Sequence, residues 1–173
     1  MKDGVHICEY GSGVAPFSFS FCNIIKPEIN IDISLTDVSG CEHLIFGDWR
    51  LNKLKEKRGL ENLNISVNPI KPNEFPTYDK KIDIAIVFEV LEHVPSPMKT
   101  LANLMKHMNP KAALVENFVK HDHDPNEEPT CDLLSAAQER YQYYEILKFN
   151  FNLIGGNPPD EEPNGTRMWQ LKH

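Results

Sequence analysis

Short apolar runs alternate with longer amphipathic ones along almost the whole chain, and no internal repeat is visible. Val5 to Cys8 is the first apolar run; it ends in Glu9-Tyr10 and turns through Gly11-Ser12-Gly13. Val14-Ala15-Pro16 follows, then an apolar segment, Phe17 to Ile25, long enough for a helix. Ile29 to Thr36 predicts a second strand with Asp37 at its end, and the pattern predicts a helix from about Gly40 to Lys57, stopped by Gly59. Leu63 to Val67 reads as a short third strand and the proline-rich stretch Asn68 to Tyr78 as a loop. Ile82 to Phe88 is the most hydrophobic strand, as expected where helices cover both faces.

Ser96-Pro97 has the cap and first-position proline of a new helix. Leu101, Leu104, Met105 and Met108 give that helix one apolar stripe, and Asn109-Pro110 ends it. Ala112 to Val119 predicts a fifth strand, and an acidic loop, His121 to Pro129, leads to a helix with Leu134, Ala137, Tyr141 and Tyr144. Two last strand-like runs, Phe149 to Ile154 and Thr166 to Lys172, are joined by a polar Gly- and Pro-containing link. This alternation predicts an α/β fold with a largely parallel sheet.

Composition narrows the picture. With 173 residues and 40% hydrophobic content the chain is expected to form one domain, 1–173, around a real core. The formal charge is −7, and the densest basic run, Lys53 to Arg58, reads as the solvated end of a helix. An acidic chain without a basic groove is a poor nucleic-acid binder, so no nucleic-acid partner is expected. Cys8, Cys22, Cys41 and Cys131 lack CxxC spacing, which argues for reduced thiols and against a zinc site. The chain opens without a signal peptide and no apolar run approaches a membrane span, so a cytoplasmic location and no membrane partner are expected.

The chemistry begins at the glycine turn. Strand, glycine turn and helix open a βαβ nucleotide-binding unit, where glycines let backbone approach a ligand closely. A dinucleotide fingerprint would place a third glycine where Pro16 stands, so the turn favours a nucleoside ligand without a pyrophosphate; S-adenosylmethionine is the commonest.

Three segments then resemble class I S-adenosylmethionine-dependent methyltransferases: Glu9-Tyr10-Gly11-Ser12-Gly13, Asp37 after the second strand, and Asp83 to Pro97 with its Phe88-Glu89-Val90-Leu91-Glu92-His93-Val94 core. The helix ending in Met108-Asn109-Pro110, with a strand after it, also fits. The resemblance implies a Rossmann-like sheet of seven strands, mostly parallel with an antiparallel last strand, and helices on both faces. It implies S-adenosylmethionine as cofactor and a small-molecule acceptor. Gly11 and Gly13 would lie against the cofactor's methionine part, and the first helix would aim its N–H groups at the bound carboxylate. Glu9 would orient the ammonium group or brace the loop. Asp37 would accept from the ribose hydroxyls, with Asp32 as its rival, Asn68 would sit near the adenine amino group and Glu89 beside the cofactor.

No catalytic residue is identified; His93, His121 and His123 are candidates for a general base, should the acceptor need one. The His121-Asp122-His123-Asp124 run is read as a solvated loop rather than a metal site, and Glu92-His93 as a tie between loop and helix. Trp49-Arg50 reads as a buried ring beside a surface cation, and Tyr141, Tyr143 and Tyr144 as helix packing. Pro110-Lys111-Ala112 replaces the Pro-Gly-Gly common in the family, so the local turn is expected to differ. Helices common before the family's first strand have no counterpart ahead of Val5, so the site is expected to be unusually open or covered by a protein partner or second subunit, unless the sequence is a fragment. Two other classes stay open: a non-catalytic protein of this fold, and a nicotinamide-dependent oxidoreductase.

Overall fold

The computed structural model describes residues 4–119 and 132–173. Its strands are β1 (Val5–Tyr10), β2 (Ile31–Val38), β3 (Leu63–Ile70), β4 (Ile82–Phe88), β5 (Met108–Asn117), β6 (Phe151–Gly155) and β7 (Arg167–Leu171). Its helices are α1 (Pro16–Ile24), α2 (Glu42–Arg58), α3 (Pro97–His107) and α4 (Leu134–Asn150), with a 3-10 turn over Leu91–His93. The strands form one sheet in the order β3-β2-β1-β4-β5-β7-β6. Neighbours from β3 to β5 are parallel, and β7 runs antiparallel to both β5 and β6. This is the seven-stranded Rossmann-like arrangement with a reversed last strand.

Strand alternation divides the core into two layers. Ile7, Ile33, Leu35 and Ile86 pack under α1 and α2 against Cys22, Leu44, Leu51 and Leu54. Cys8, Ala85, Val87, Leu114 and Trp169 face the other way, against Leu101 and Leu104 of α3 and Tyr143 and Leu147 of α4. Helix ends follow local chemistry. Ser96 Oγ accepts from Lys99 N at 3.3 Å with Pro97 in the first turn, and Gly59 closes α2 in the left-handed region at φ 63°. Ser96 Oγ also donates to Glu139 Oε2 at 2.8 Å, tying the start of α3 to α4.

Several boundaries and environments differ from expectation, each for a pairing or packing reason. β3 runs on to Ile70 because it keeps pairing with β2 up to Val38, which places Asn68 inside the strand instead of after it. Pro69 is tolerated there because β3 is an edge strand. β5 starts at Met108 and ends at Asn117, not Ala112 to Val119; its register against β4 shifts between Ile82 and Ile84. Lys111, at φ 64°, takes the left-handed position that a glycine would fill, so Ala112 need not. The Trp49-Arg50 reading is reversed: Trp49 is 54% exposed beside Phe46, and Arg50 is half-buried with its guanidinium 4.0 Å above the Phe19 ring. Tyr143 and Tyr144 are buried packing residues, whereas Tyr141 on the same helix is exposed. Arg58, in the basic run, donates to the carbonyls of Cys22 at 2.5 Å and Ile25 at 3.1 Å, closing the end of α1. Cys131 and the loop His121 to Pro129 lie outside the described residues; Cys8, Cys22 and Cys41 are free thiols.

Candidate functional site

The carboxyl ends of β1, β2, β4 and β5 gather the polar groups. β2 holds the glycine turn from the side: Thr36 O accepts from Gly11 N at 2.8 Å and Ser12 N at 3.0 Å. Asp37 completes the brace, Oδ2 accepting from Gly13 N at 2.6 Å and Oδ1 from Val38 N at 2.7 Å. Asp32 points its carboxylate elsewhere, to Asn64 Nδ2 at 2.9 Å and Lys80 Nζ at 2.6 Å. Of the two rival aspartates, Asp37 is therefore the one that touches the turn.

The two glycines differ. A Cβ on Gly11, at φ 66°, would fall 2.2 Å from Val90 Cγ2, so the position is small because Val90 packs against it. A valine at Gly11 would thus collide with Val90. At Gly13, φ 47°, a Cβ would meet nothing within 4 Å. Sequence reading passed over Ala15, which is left-handed at φ 54°, fully buried and the N-terminal cap residue of α1. Its backbone strain, of order 1–2 kcal/mol, is held by packing against Gly47, where a Cβ would come within 3.3 Å of Ala15 Cβ.

Glu9 is 4% exposed and braces α1: it accepts from Phe17 N at 3.2 Å, Ser18 N at 2.9 Å and the Ser18 hydroxyl. Those first-turn N–H groups are thereby engaged, so they do not stand open for a ligand carboxylate as the resemblance implied. Burial raises the Glu9 carboxyl above its ordinary range, opposed by the Ser18 and Phe17 bonds and the Arg50 charge.

Glu89 sits just past β4 in the left-handed region, φ 53°. Asn117, a partner not singled out from sequence, clamps it: Glu89 N donates to Asn117 Oδ1 at 2.8 Å, and Asn117 Nδ2 donates to Glu89 Oε1. His93 is partly exposed, with Nδ1 3.4 Å from Asp132 Oδ1 and Nε2 3.9 Å from Glu92 Oε1. Candidates His121 and His123 lie outside the described residues. Asn68 lines a separate cleft with His6, Ser34 and Tyr78, away from the glycine turn.

Two cavities flank the 3-10 turn. One, of about 340 Å³, is walled by Tyr10, Val38, Ile70 and Phe75 over the ends of β1 to β3, with His93 and Ser96 across from them. The other, of about 460 Å³, lies between Glu92, Phe118 and α4. Behind it, Glu116 Oε1 accepts from Trp169 Nε1 at 3.0 Å and lies 3.6 Å from Arg167 Nη1, both charges fully buried. Phe118 N donates to Glu116 Oε2 at 2.8 Å, and Arg167 Nη1 donates to Tyr144 Oη at 2.9 Å. This pair is a structural tie between β5 and β7.

The family described as methyltransferase domain matches residues 2–150. The chain belongs to that family. No curated protein matches the sequence. Among solved structures, a SAM-dependent methyltransferase from Aquifex aeolicus is 18% identical at a TM-score of 0.62, covering 98% of this chain and 82% of its own. The small RNA methyltransferase HEN1 is 15% identical at 0.72, covering 98% of this chain and 23% of its own. The [4+2]-cyclase SpnF is 17% identical at 0.61, covering 90% of this chain, which spans 54% of the SpnF chain. At these identities the shared property is the fold, and SpnF illustrates that a fold alone does not fix a reaction.

Proposed function

We propose that this methyltransferase-family chain uses S-adenosylmethionine to methylate a small molecule. The observation that carries the reading is the Asp37 carboxylate, half-buried at the end of β2 and poised beside open space above Gly13. The buried hydroxyl of Ser12 in the same turn has no hydrogen-bond partner among the described residues, and Val38 and Ile70 wall a cavity of a size suited to a nucleoside. These residues fit the group. Asp37 would exchange its Gly13 bond for the ribose hydroxyls, Val38 and Ile70 would flank the base, and the open space at Gly13 would take the amino-acid part.

Bound there, the cofactor supplies an electrophilic sulfonium methyl. The chain's own contribution is to align acceptor and methyl and to exclude water. Glu9 acts by bracing the start of α1, and Asn117 by fixing Glu89 at the rim. Asn68, in its separate cleft, is a weaker partner for adenine than its place in sequence implied. His93 is the described candidate for removing an acceptor proton, oriented by Asp132. The net charge of −7 supports a small acceptor over a polyanion such as RNA. Among the described residues no helix is long and apolar enough to cross a membrane, and we propose a cytoplasmic protein. The second reading, cofactor or partner binding without methyl transfer, draws on Val90 filling the space over Gly11. The reversed β7 and Pro16 both speak against a nicotinamide enzyme.

Thermal shift with S-adenosylhomocysteine and with NAD tests the ligand: the first is expected to stabilise and the second not. Asp37→Ala should weaken S-adenosylhomocysteine by about 1.5–3 kcal/mol in calorimetry, the worth of hydrogen bonds to a charged acceptor. Asp32→Ala should leave it unchanged. NAD stabilisation, or loss of binding only on replacing Asp32, would reject the site.

A further inference from the structure

The outer face of α1 and α2 carries exposed apolar side chains that the proposed methyl-transfer site does not use. Trp49 is 54% exposed and Phe46 49%, their ring centres 5.5 Å apart, and Ile45 beside them is 69% exposed. Phe46 and Trp49 line an open groove of about 420 Å³, which Phe19 lines from α1. Arg50, Lys53 and Lys57 also line it, and among the described residues its lining holds no carboxylate. In a chain of net charge −7 this is a local island of positive charge. The three cations are not equally available. Arg50 stacks over Phe19 at 4.0 Å, and its charge also acts on Glu9. Lys53 pairs with Glu56 at 2.8 Å, but both side chains are mostly exposed, so the pair is weak. Lys57 has no hydrogen bond or ion pair among the described residues.

Aromatic side chains left in water gain on being covered, and a groove that combines them with cations selects what covers it. A second copy turned about a two-fold axis would bring this basic groove against itself, lysine facing lysine. Ile45, Phe46 and Trp49 occupy about one turn of α2 instead of a stripe along the whole helix, which suits an inserted side chain better than a flat lipid surface. The acidity of the chain opposes a nucleic acid. We infer that the groove between α1 and α2 docks an acidic segment of a partner protein. An apolar side chain of that segment seats against Phe19, Phe46 and Trp49, and its carboxylates meet Lys53 and Lys57. The two lysines lie one turn apart on α2, about 6 Å along the axis, which matches carboxylates one turn apart on an acidic helix. Exposed aromatics supply the contact area, and the lysines at the rim select the sign of the partner. The inference stands apart from the methyl-transfer reading, since docking is measured without cofactor.

The two tryptophans of the chain provide the readout: Trp169 is 2% exposed, so only Trp49 can be newly covered. The full chain is titrated with a synthetic peptide of two Glu-Phe-Asp-Glu-Leu-Glu-Asp heptads, which as a helix sets its Phe and Leu on one face and contains no tryptophan. Tryptophan emission should shift to the blue as the peptide binds. The same peptide with Ser at every Phe and Leu should bind about tenfold more weakly. Lys57→Glu should weaken the first peptide about tenfold and Phe46→Ala several-fold, both at exposed positions. Lys55→Glu makes the same charge change outside the groove and should leave binding within about twofold. Both lysines lie in the last turn of α2, so any loss of helix stability is shared. No blue shift, equal binding of the serine peptide, or equal losses for Lys55→Glu and Lys57→Glu would each overturn the assignment. So would a blue shift produced instead by phosphatidylglycerol vesicles, by oligouridylate or by raising the chain's own concentration, which would give the groove to a lipid surface, a nucleic acid or a second copy.

Discussion

Glu9 and Glu92 occupy similar ground and meet opposite fates. Both are buried at the carboxyl edge of the parallel sheet, one at the end of β1 and the other just after β4, and burial pushes both carboxyls upward. Glu9 accepts hydrogen bonds from two backbone N–H groups and a hydroxyl of α1, whereas Glu92 has no hydrogen-bond partner among the described residues. Glu116, deeper still, is bonded to Trp169 and set beside Arg167. A buried carboxylate supplied with donors by its own chain fastens the fold. One without them meets its desolvation cost largely uncompensated.

Breaking the fully paired member should cost most. Glu116→Leu strands the Arg167 guanidinium in the core, and urea denaturation should show a loss of about 3–5 kcal/mol. Glu9→Ala comes next at about 2–3 kcal/mol, because the Phe17 and Ser18 N–H groups lose their acceptor; Glu9→Gln should recover part through its amide oxygen. If Glu9→Ala proves neutral, the distinction between the two edge carboxylates collapses.

Glu92→Gln gives the smallest change, within about 1 kcal/mol, and its sign sharpens the comparison. The Glu92 carboxyl is raised above its ordinary 4.5, chiefly by desolvation, so the folded state binds its proton more tightly than the unfolded chain. Stability from this group therefore falls as pH climbs above 4.5 through the raised folded value. The glutamine variant should gain on the wild type as pH rises from acid to neutral in parallel urea titrations. A variant that instead loses ground with rising pH would mean that Glu92 is well paired as an anion.

Much of this was legible in sequence wherever the determinant is local. Ser96-Pro97 and Gly59 marked helix ends because a cap depends on neighbouring backbone, and the apolar run Ile82 to Phe88 announced a strand covered on both sides. Asp37 was expected near the end of β2 and is there, but its bond to Gly13 N was not foreseen. What stayed hidden depends on partners far along the chain. Val90 fixes the identity of Gly11 from the next crossover, and Gly47 allows Ala15 its left-handed backbone. Arg167 and Glu116 find each other only when β7 enters the sheet, and nothing in a five-residue strand signals a buried cation. Trp49 was misread because an apolar ring on an amphipathic helix gives no hint of which side the neighbouring helix occupies.

The position of β7 also bears on how the molecule is made. β6 joins the sheet only through β7, which lies between it and β5. During synthesis from the amino end, β1 to β5 can pair as they emerge, while β6 waits with both edges bare until Arg167 to Leu171 leaves the ribosome. The sheet is thus closed by insertion, and for that interval the nascent chain carries an unpaired strand edge exposed to other polypeptides.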